Sequence, residues 1–338
     1  MKKKQLIYIG NKLSIHGNTA TSIETLGQFL EKEKFKIIYA SSKKNKVLRL
    51  IDMIFTTLKY FKKSYYLLID TYSTQNFWYA LIISQLCRVL KLKYIAKLHG
   101  GDLPNRLIKS PFYCDLIFKN AYKISVPSKY LEEAFSKKYL NNLVYIPNTI
   151  EINNYPFLER KILEPKLLWV RSFSKIYNPK MAIDVLASLK KEFPNAQLTM
   201  VGPDKENILE NCKKYAQSLN VNVRFLGKLS KEDWVSLSKE YSIFINTTHF
   251  DNTPVSVIEA MALGMPVVST NVGGIPFLLN NSVDAILVND NDTDAMVSAI
   301  KNLILNPEFA SSITINARKK VEAFDWEIVK LKWIEILQ

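Results

Sequence analysis

The sequence predicts an α/β protein of two Rossmann-like domains, each built on a parallel sheet. Short apolar segments alternate with segments of helical period, the pattern of βαβ units. The alternation runs twice, with a polar, proline-marked interruption between the two series. The 338 residues, 48% of them hydrophobic, are too many for one ordinary core and enough for two.

In the first series, residues 5–10 form a short apolar strand, 11–21 a polar loop, and Leu26 and Leu30 share one helical face. Further strands are expected at 35–40, 66–70, 94–98, 123–126 and 143–146. Parallel pairing needs a crossover between each two strands, and segments of helical period supply it. The second series places strands at 167–171, 197–202, 223–225, 243–246 and 266–269, with helices at 179–193, 206–219 and 231–241. Pro156 and Pro165 punctuate the charged run between the series, which sets the expected domains at 1–160 and 161–338. A last amphipathic stretch, 326–337, can pack on either domain.

Residues 1–160 hold 26 Lys and Arg against 11 Asp and Glu, whereas residues 161–338 hold 20 of each. The whole excess sits on the first half, which suits an anionic partner such as a phospholipid surface, a lipid pyrophosphate or nucleic acid; ordinary solubilising lysine is the plain alternative. Residues 50–60 are mostly apolar, with Phe55 and Tyr60 among them and Lys43, Lys44, Lys46, Arg49, Lys62 and Lys63 around them. That pattern fits an interfacial helix on an anionic membrane or a core helix with solvated lysines. Cys87, Cys114 and Cys212 are widely separated and form no C-x-x-C pair, which argues against a disulfide framework or a zinc site. The apolar run 6–9 is too short for a leader, and 65–90 is interrupted by Asp70 and Arg88. A cytoplasmic protein without a membrane-spanning helix is expected, with a peripheral position on the inner face of the plasma membrane open to it.

The chemistry concentrates in residues 250–264. Thr253 suits an N-cap, Pro254 the first helical position and Gly264 the residue after the last turn, which frames a helix of about ten residues. Glu259 is the only charged residue between Pro254 and Val268, in a run apolar enough to lie in the core. A buried carboxylate needs hydrogen-bond donors. The two hydroxyls of a ribose supply them, with Thr253, Pro254 and Val255 at the helix N-terminus receiving phosphate or sugar hydroxyls. The alternative is that Glu259 bonds a neighbouring backbone group and only locks the helix. Asp251, just ahead, reaches a sugar placed there or serves only as a capping residue.

These residues resemble the retaining glycosyltransferases of family 4, of the bacterial surface-polysaccharide type that builds lipopolysaccharide or capsule. That family carries two acids separated by seven residues, the second opening the pattern E-A-M-A-x-G-x-P-V-V. Here Asp251 is followed after seven residues by Glu259-Ala260-Met261-Ala262-Leu263-Gly264-Met265-Pro266-Val267-Val268. The resemblance implies the GT-B fold, two parallel sheets facing a central cleft, with Glu259 on the nucleotide ribose and Asp251 on the transferred sugar. Asp251 departs from the family's usual Glu, which keeps the charge and shortens its reach.

The resemblance further sets Arg171, at a strand end, against the donor diphosphate. The family's lysine five residues on is replaced by Ile176, so Lys175 and Lys180 are both candidates, with Lys175 preferred. Gly273 and Gly274 look like the turn where the backbone nears the diphosphate. His99, in His99-Gly100-Gly101-Asp102, ends a strand and is placed on the donor sugar, with Asp102 behind it. The loop His16-Gly17-Asn18 stands where the family's glycine-rich loop nears donor and acceptor, which makes Gly17 a donor contact and His16 a candidate for the acceptor.

The expected reaction is that of a retaining hexosyltransferase, moving a sugar from a nucleotide-diphosphate sugar to a glycan or lipid-linked acceptor. Arg171, a lysine and helix N–H groups stabilise the leaving diphosphate with no cofactor and no obligatory metal, and domain closure excludes water. Two rival classes are a nucleotide-sugar epimerase on the same fold and a nucleic-acid binder using the basic half, which lacks a reader motif. No G-x-G-x-x-G follows the first strand, which counts against a dinucleotide dehydrogenase.

Overall fold

The computed structural model describes residues 4–16 and 21–338. The chain forms two compact units, residues 1–147 with 329–338, and residues 148–328. In the first, β1 (Gln5–Ile9), β2 (Lys36–Ala40), β3 (Tyr66–Tyr72), β4 (Tyr94–His99), β5 (Lys123–Val126) and β6 (Leu143–Tyr145) make one sheet in the order β2-β1-β3-β4-β5-β6. Every pair is parallel. The crossovers run through α1 (Ser22–Lys32), α2 (Lys46–Tyr60), α3 (Phe77–Val89), α4 (Leu103–Lys109), α5 (Pro111–Phe118) and α6 (Lys129–Tyr139). All five residues of β1 are buried, as a central parallel strand covered on both faces requires. Ile7, Ile9, Leu67, Ile69, Ala96 and Leu98 belong to one core with Phe77 and Ile83 of α3 and with Ile117 and Phe118 of α5.

The second unit repeats the plan with β7 (Lys166–Val170), β8 (Gln197–Val201), β9 (Val223–Gly227), β10 (Ile243–Asn246), β11 (Val267–Thr270) and β12 (Ile286–Val288), in the order β12-β11-β10-β7-β8-β9 and again parallel throughout. Its helices are α7 (Pro179–Leu189), α8 (Leu209–Ser218), α9 (Lys231–Leu237), α10 (Val255–Ala262), α11 (Ile275–Leu278), α12 (Thr293–Leu305) and α13 (Pro307–Glu322). The last helix, α14 (Trp326–Leu337), carries residues of both units. Within the first unit Lys332 Nζ donates to the Tyr145 carbonyl at 3.1 Å. β12 has no counterpart among the expected strands. Two parallel sheets with helical crossovers make the α/β class that the sequence predicts.

The strand orders explain where a site can form. Chain direction across the sheet reverses between β1 and β3 in the first unit and between β7 and β10 in the second. Loops leaving the carboxyl ends of such strands diverge and open a crevice, the usual ligand position in open parallel sheets.

The polar stretch that the sequence marks as an interruption is fastened to the second unit. The Arg160 guanidinium donates to the carbonyls of Tyr241, Ser238 and Leu263, each at 2.9 Å. Arg318 of α13 donates to the carbonyls of Tyr155 at 2.8 Å and Ala262 at 2.7 Å.

Candidate functional site

In the second unit the switch-point loops bring Arg171 and Asp251 together. Arg171 follows β7, and its main-chain N–H donates to the Val201 carbonyl at 2.9 Å. Gly202, with φ at 151°, ends β8 so close to the Arg171 carbonyl that a Cβ would collide with it. The Arg171 guanidinium pairs with the Asp251 carboxylate and lies 4.1 Å from the centre of the Tyr177 ring. Burial pulls its pKa below the usual arginine value, against the opposing pull of Tyr177. Asp251 Oδ1 also accepts from the Asn252 N–H at 2.7 Å.

The loop bearing Asp251 is held by the strands around it. Thr247 Oγ1 accepts from Trp169 Nε1 at 3.1 Å and donates to the Asn178 carbonyl at 2.9 Å. Thr270 Oγ1 donates to the Thr248 carbonyl at 2.6 Å. The Gly274 N–H donates to the Asp251 carbonyl at 2.8 Å. A Cβ on Gly273 would strike the Asp251 carbonyl, and one on Gly274 the Asn252 carbonyl. The backbone that these two glycines admit in the structure is that of the Asp251 loop.

Glu259 lies on α10 and is 2% exposed. Its Oε1 accepts from Tyr155 Oη at 2.8 Å and from Lys231 Nζ. Among the described residues no bond falls on Oε2. The Lys231 side chain is 60% exposed although its partner is buried. Burial and the Glu259 charge push the Tyr155 phenol far above its usual pKa, so it stays a donor. These contacts correct two details of the sequence reading. Glu259 bonds to side chains rather than to neighbouring backbone. The helix also starts one residue later than expected, at Val255. Pro254 takes the N-cap place because its ψ of 114° is extended, so its ring fixes φ without joining the helix. Thr253 does not cap: its Oγ1 and the Ser256 Oγ are buried with no hydrogen-bond partner among the described residues. Gly264, at φ 71°, ends the helix as expected.

Of the candidate lysines, Lys175 opens a short 3-10 turn and its N–H donates to Glu206 Oε2 at 2.9 Å. Lys180 Nζ stands 5.0 Å from the centre of the Tyr215 ring. Neither is seen paired with Arg171 or Asp251.

In the first unit His99 ends β4. It donates from Nε2 to Asp70 Oδ1 at 2.7 Å, and Tyr8 Oη donates to the same oxygen at 3.0 Å. A neutral ring held this way presents Nδ1 as its acceptor nitrogen. Lys97 Nζ donates to Ser22 Oγ at 2.6 Å and stands 3.2 Å from His99 Nε2. Burial lowers Lys97 to about 8. Burial, then the Lys97 charge, lowers His99, against the pull of Asp70. Tyr72 stacks on the His99 ring, centroids 5.0 Å apart. Asp102 is exposed and accepts from Asn105 Nδ2 at 2.6 Å, so the carboxylate that meets His99 is Asp70. The exposed His16 meets the Ser42 carbonyl at 2.9 Å, and Gly17 lies outside the described residues.

Sequence reasoning missed Tyr155, Lys231, Tyr177, Gly202 and Asp70. Except for Tyr177, six residues from Arg171, their partners lie far along the chain, 104 residues for Tyr155 and Glu259 and 28 for Lys231 and Glu259, so no local spacing shows them. A surface cavity of about 630 Å³ lies at the other end of the same sheet, where Lys166, Gln197, Thr199 and Arg224 line it. Those residues sit at or near the amino ends of their strands, away from the switch-point loops. Among the described residues no group of three His, Cys, Asp or Glu is placed to hold a metal ion, and no helix is long and apolar enough to cross a membrane.

Residues 157–320 match the family model of Glycosyl transferases group 1. An uncharacterized glycosyltransferase of Methanocaldococcus jannaschii is 22% identical over 70% of this chain and 66% of its own length. The matched stretches span between 39% and 66% of the lengths of the first curated relatives. Among solved structures, sucrose-phosphate synthase from Thermosynechococcus elongatus superposes with a TM-score of 0.82 at 16% identity, over 99% of this chain and 98% of that one. HepE of Anabaena, in complex with UDP and glucose, superposes with a TM-score of 0.77 at 15% identity, over 99% of both chains. The fold is that of the GT-B glycosyltransferases. Family model and relatives together support a glycosyltransferase of group 1 type and do not favour the epimerase.

Proposed function

We propose that this chain, through the group 1 segment at residues 157–320, transfers a hexose from a nucleotide-diphosphate sugar to a glycan or lipid-linked acceptor with retention of configuration. The observation that carries the reading is the Glu259 carboxylate, 2% exposed, with both of its protein donors on one oxygen. A ribose diol offers two parallel O–H donors to a carboxylate, and the exposed Lys231 ammonium is the partner free to move aside for it. Arg171 and the N–H groups of Thr253 and Val255, on either side of the proline that lacks one, then receive the diphosphate, while Asp251 exchanges Arg171 for a hydroxyl of the sugar.

As the bond from the anomeric carbon to the diphosphate breaks, negative charge grows on the leaving phosphate. Arg171 and a lysine, Lys175 ahead of Lys180, stabilise it. The acceptor oxygen bonds the anomeric carbon on the same face, and its proton passes to a leaving phosphate oxygen. This reading needs no obligatory metal or cofactor. His99 is assigned to the transferred sugar, and Gly17 to the donor, on the family resemblance alone. We place the enzyme in the cytoplasm with a membrane-linked acceptor, and no nucleic-acid partner.

HepE holds UDP, so uridine donors come first in the test. Thermal shifts are measured with UDP, GDP, ADP and their sugars on the protein and on Glu259→Gln, which keeps the side chain's size. One base class is expected to raise Tm by several degrees, as binding to the native state alone requires, and Glu259→Gln is expected to lose that rise. A shift equal in both proteins, or no shift with any nucleotide, overturns the reading. An isomerised donor formed without acceptor would instead identify an epimerase.

A further inference from the structure

Helix α2 leaves an apolar stripe uncovered. Val47, Ile51, Phe55 and Leu58 follow one another at steps of three and four and are 66%, 55%, 61% and 47% exposed, and Leu48 adjoins them. The opposite face, with Arg49, Met53, Thr56 and Thr57, is buried. Asn45 caps the helix by accepting from the N–H groups of Val47 and Leu48 at 2.9 and 3.1 Å, so the stripe begins in the first turn.

The helices next to α2 also carry exposed apolar residues. α2 packs on α3, and α3 on α5. Trp78 of α3 is 42% exposed and meets Tyr113 of α5 edge-on at 5.2 Å, with the exposed Phe112 next to it. Exposed apolar residues are ordinary when scattered singly; one contiguous layer of them marks an interaction surface.

Charge identifies the partner. Lys43, Lys44 and Lys46 at one end of α2 and Lys59, Lys62 and Lys63 at the other are all exposed. Asp52 is the only acid from Lys43 to Lys63. An apolar stripe bracketed by lysines, with a tryptophan and a tyrosine beside it, matches the layering of a bilayer surface, acyl boundary between anionic headgroups. A second copy meeting this face by two-fold symmetry would set lysine against lysine.

We propose that the α2–α3–α5 layer docks on an anionic lipid bilayer, with α2 lying in the plane of the interface. This deepens the proposed function, because a lipid-linked acceptor is found at such a surface. Docking is read without donor and donor binding without lipid, so either reading can fail alone.

The test is flotation of the full chain with phosphatidylcholine vesicles, with and without about one third phosphatidylglycerol, at low and high salt. Retention is expected only on the anionic vesicles and is expected to fall with salt. Each lysine near an anionic surface is worth about fivefold in partitioning, so Lys59→Glu with Lys62→Glu should lower it by more than tenfold. Ile51→Asp with Phe55→Asp should abolish retention and leave Tm unchanged, since both side chains are exposed. Trp169, Trp234, Trp326 and Trp333 are each at most 3% exposed, so brominated acyl chains should quench Trp78 alone, and Trp78→Phe should remove the quenching. Equal retention on neutral vesicles, none on anionic ones, retention unchanged by the aspartate pair, or a dimer that the aspartate pair dissociates would each overturn the proposal.

Discussion

The two units place carboxylates at equivalent points, beside the reversal in strand order, and treat their charge differently. In the first, the Asp70 side chain is 0% exposed. Tyr8 and His99 donate to one oxygen, and Gly10 seals the other, where a Cβ would lie 2.5 Å from Oδ2. In the second, Arg171 is as buried as His99, 13% against 14% exposed, but Asp251 is 15% exposed and the lysine on Glu259 is mostly in water. A sealed carboxylate positions its neighbours. One paired with a reachable cation can trade that partner for a ligand. Burial alone therefore does not separate a structural acid from a binding one: Asp70 and Glu259 are both buried, and the lysine on Glu259 is 60% exposed where the histidine on Asp70 is 14% exposed.

The largest effect is expected at the pair that bridges both roles. Arg171→Ala should lower the transfer rate about 10²- to 10³-fold, the range for losing one donor to developing negative charge. Asp251→Ala strands the guanidinium and should cost about 3 kcal/mol in urea unfolding, the lower end for breaking a buried pair. Asp251→Asn should nevertheless keep the thermal shift given by UDP, because Arg171 can still meet the diphosphate. If the asparagine variant loses the shift and keeps turnover, the exchange of partners is wrong.

Next comes the loop that presents Asp251. Gly274→Ala drives a methyl into the Asn252 carbonyl, and such overpacking costs about 1–3 kcal/mol. The nucleotide shift should fall along with stability, because the loop and the start of α10 move together. By contrast Gly227→Ala meets no atom within 4 Å, although its φ of 66° carries strain of about 1 kcal/mol. It should leave nucleotide binding intact, and calorimetry on both variants reads the difference.

These two regions also differ in what the sequence discloses. The segment from Asp251 to Val268 is legible because its acids and its glycine stop lie on one helix and one turn, where spacing is geometry; its cap is misread by one residue, Pro254 standing where Thr253 is expected. The alternation that predicts two parallel sheets is legible for the same reason. The Asp70 cluster draws on residues 8, 22, 70, 97 and 99, which only strand order brings together. His99 was found by its strand end, and its true carboxylate partner was not, since Asp102 is near in sequence and Asp70 is near in space. Tyr155 was hidden in a stretch that reads as linker.

A smaller effect tests how the sealed cluster handles a cation. Burial holds Lys97 at about 8, below the usual lysine value. Between about pH 8 and pH 10 the unfolded chain keeps the proton and the folded one releases it, so this residue's contribution to stability rises with pH across that window. The expected gain is on the order of 2 kcal/mol. It must be read as the protein minus Lys97→Met, because the buried Cys87 thiol, pushed up to about 12, keeps its proton on folding and lowers stability over part of the same range. A difference curve flat from pH 8 to pH 10 would show that Lys97 is not buried as a cation.

The smallest effect decides the most about Glu259. An ion pair whose lysine is 60% exposed is worth under about 1 kcal/mol after solvent screening. Lys231→Met should therefore barely move the urea midpoint, while the nucleotide shift should stay or grow, since a ribose no longer displaces an ammonium. If Lys231→Met instead costs several kcal/mol and leaves nucleotide binding unchanged, Glu259 is as closed as Asp70. Its carboxylate would then be a core pairing held by Tyr155 and Lys231, and the ribose would have to bind elsewhere.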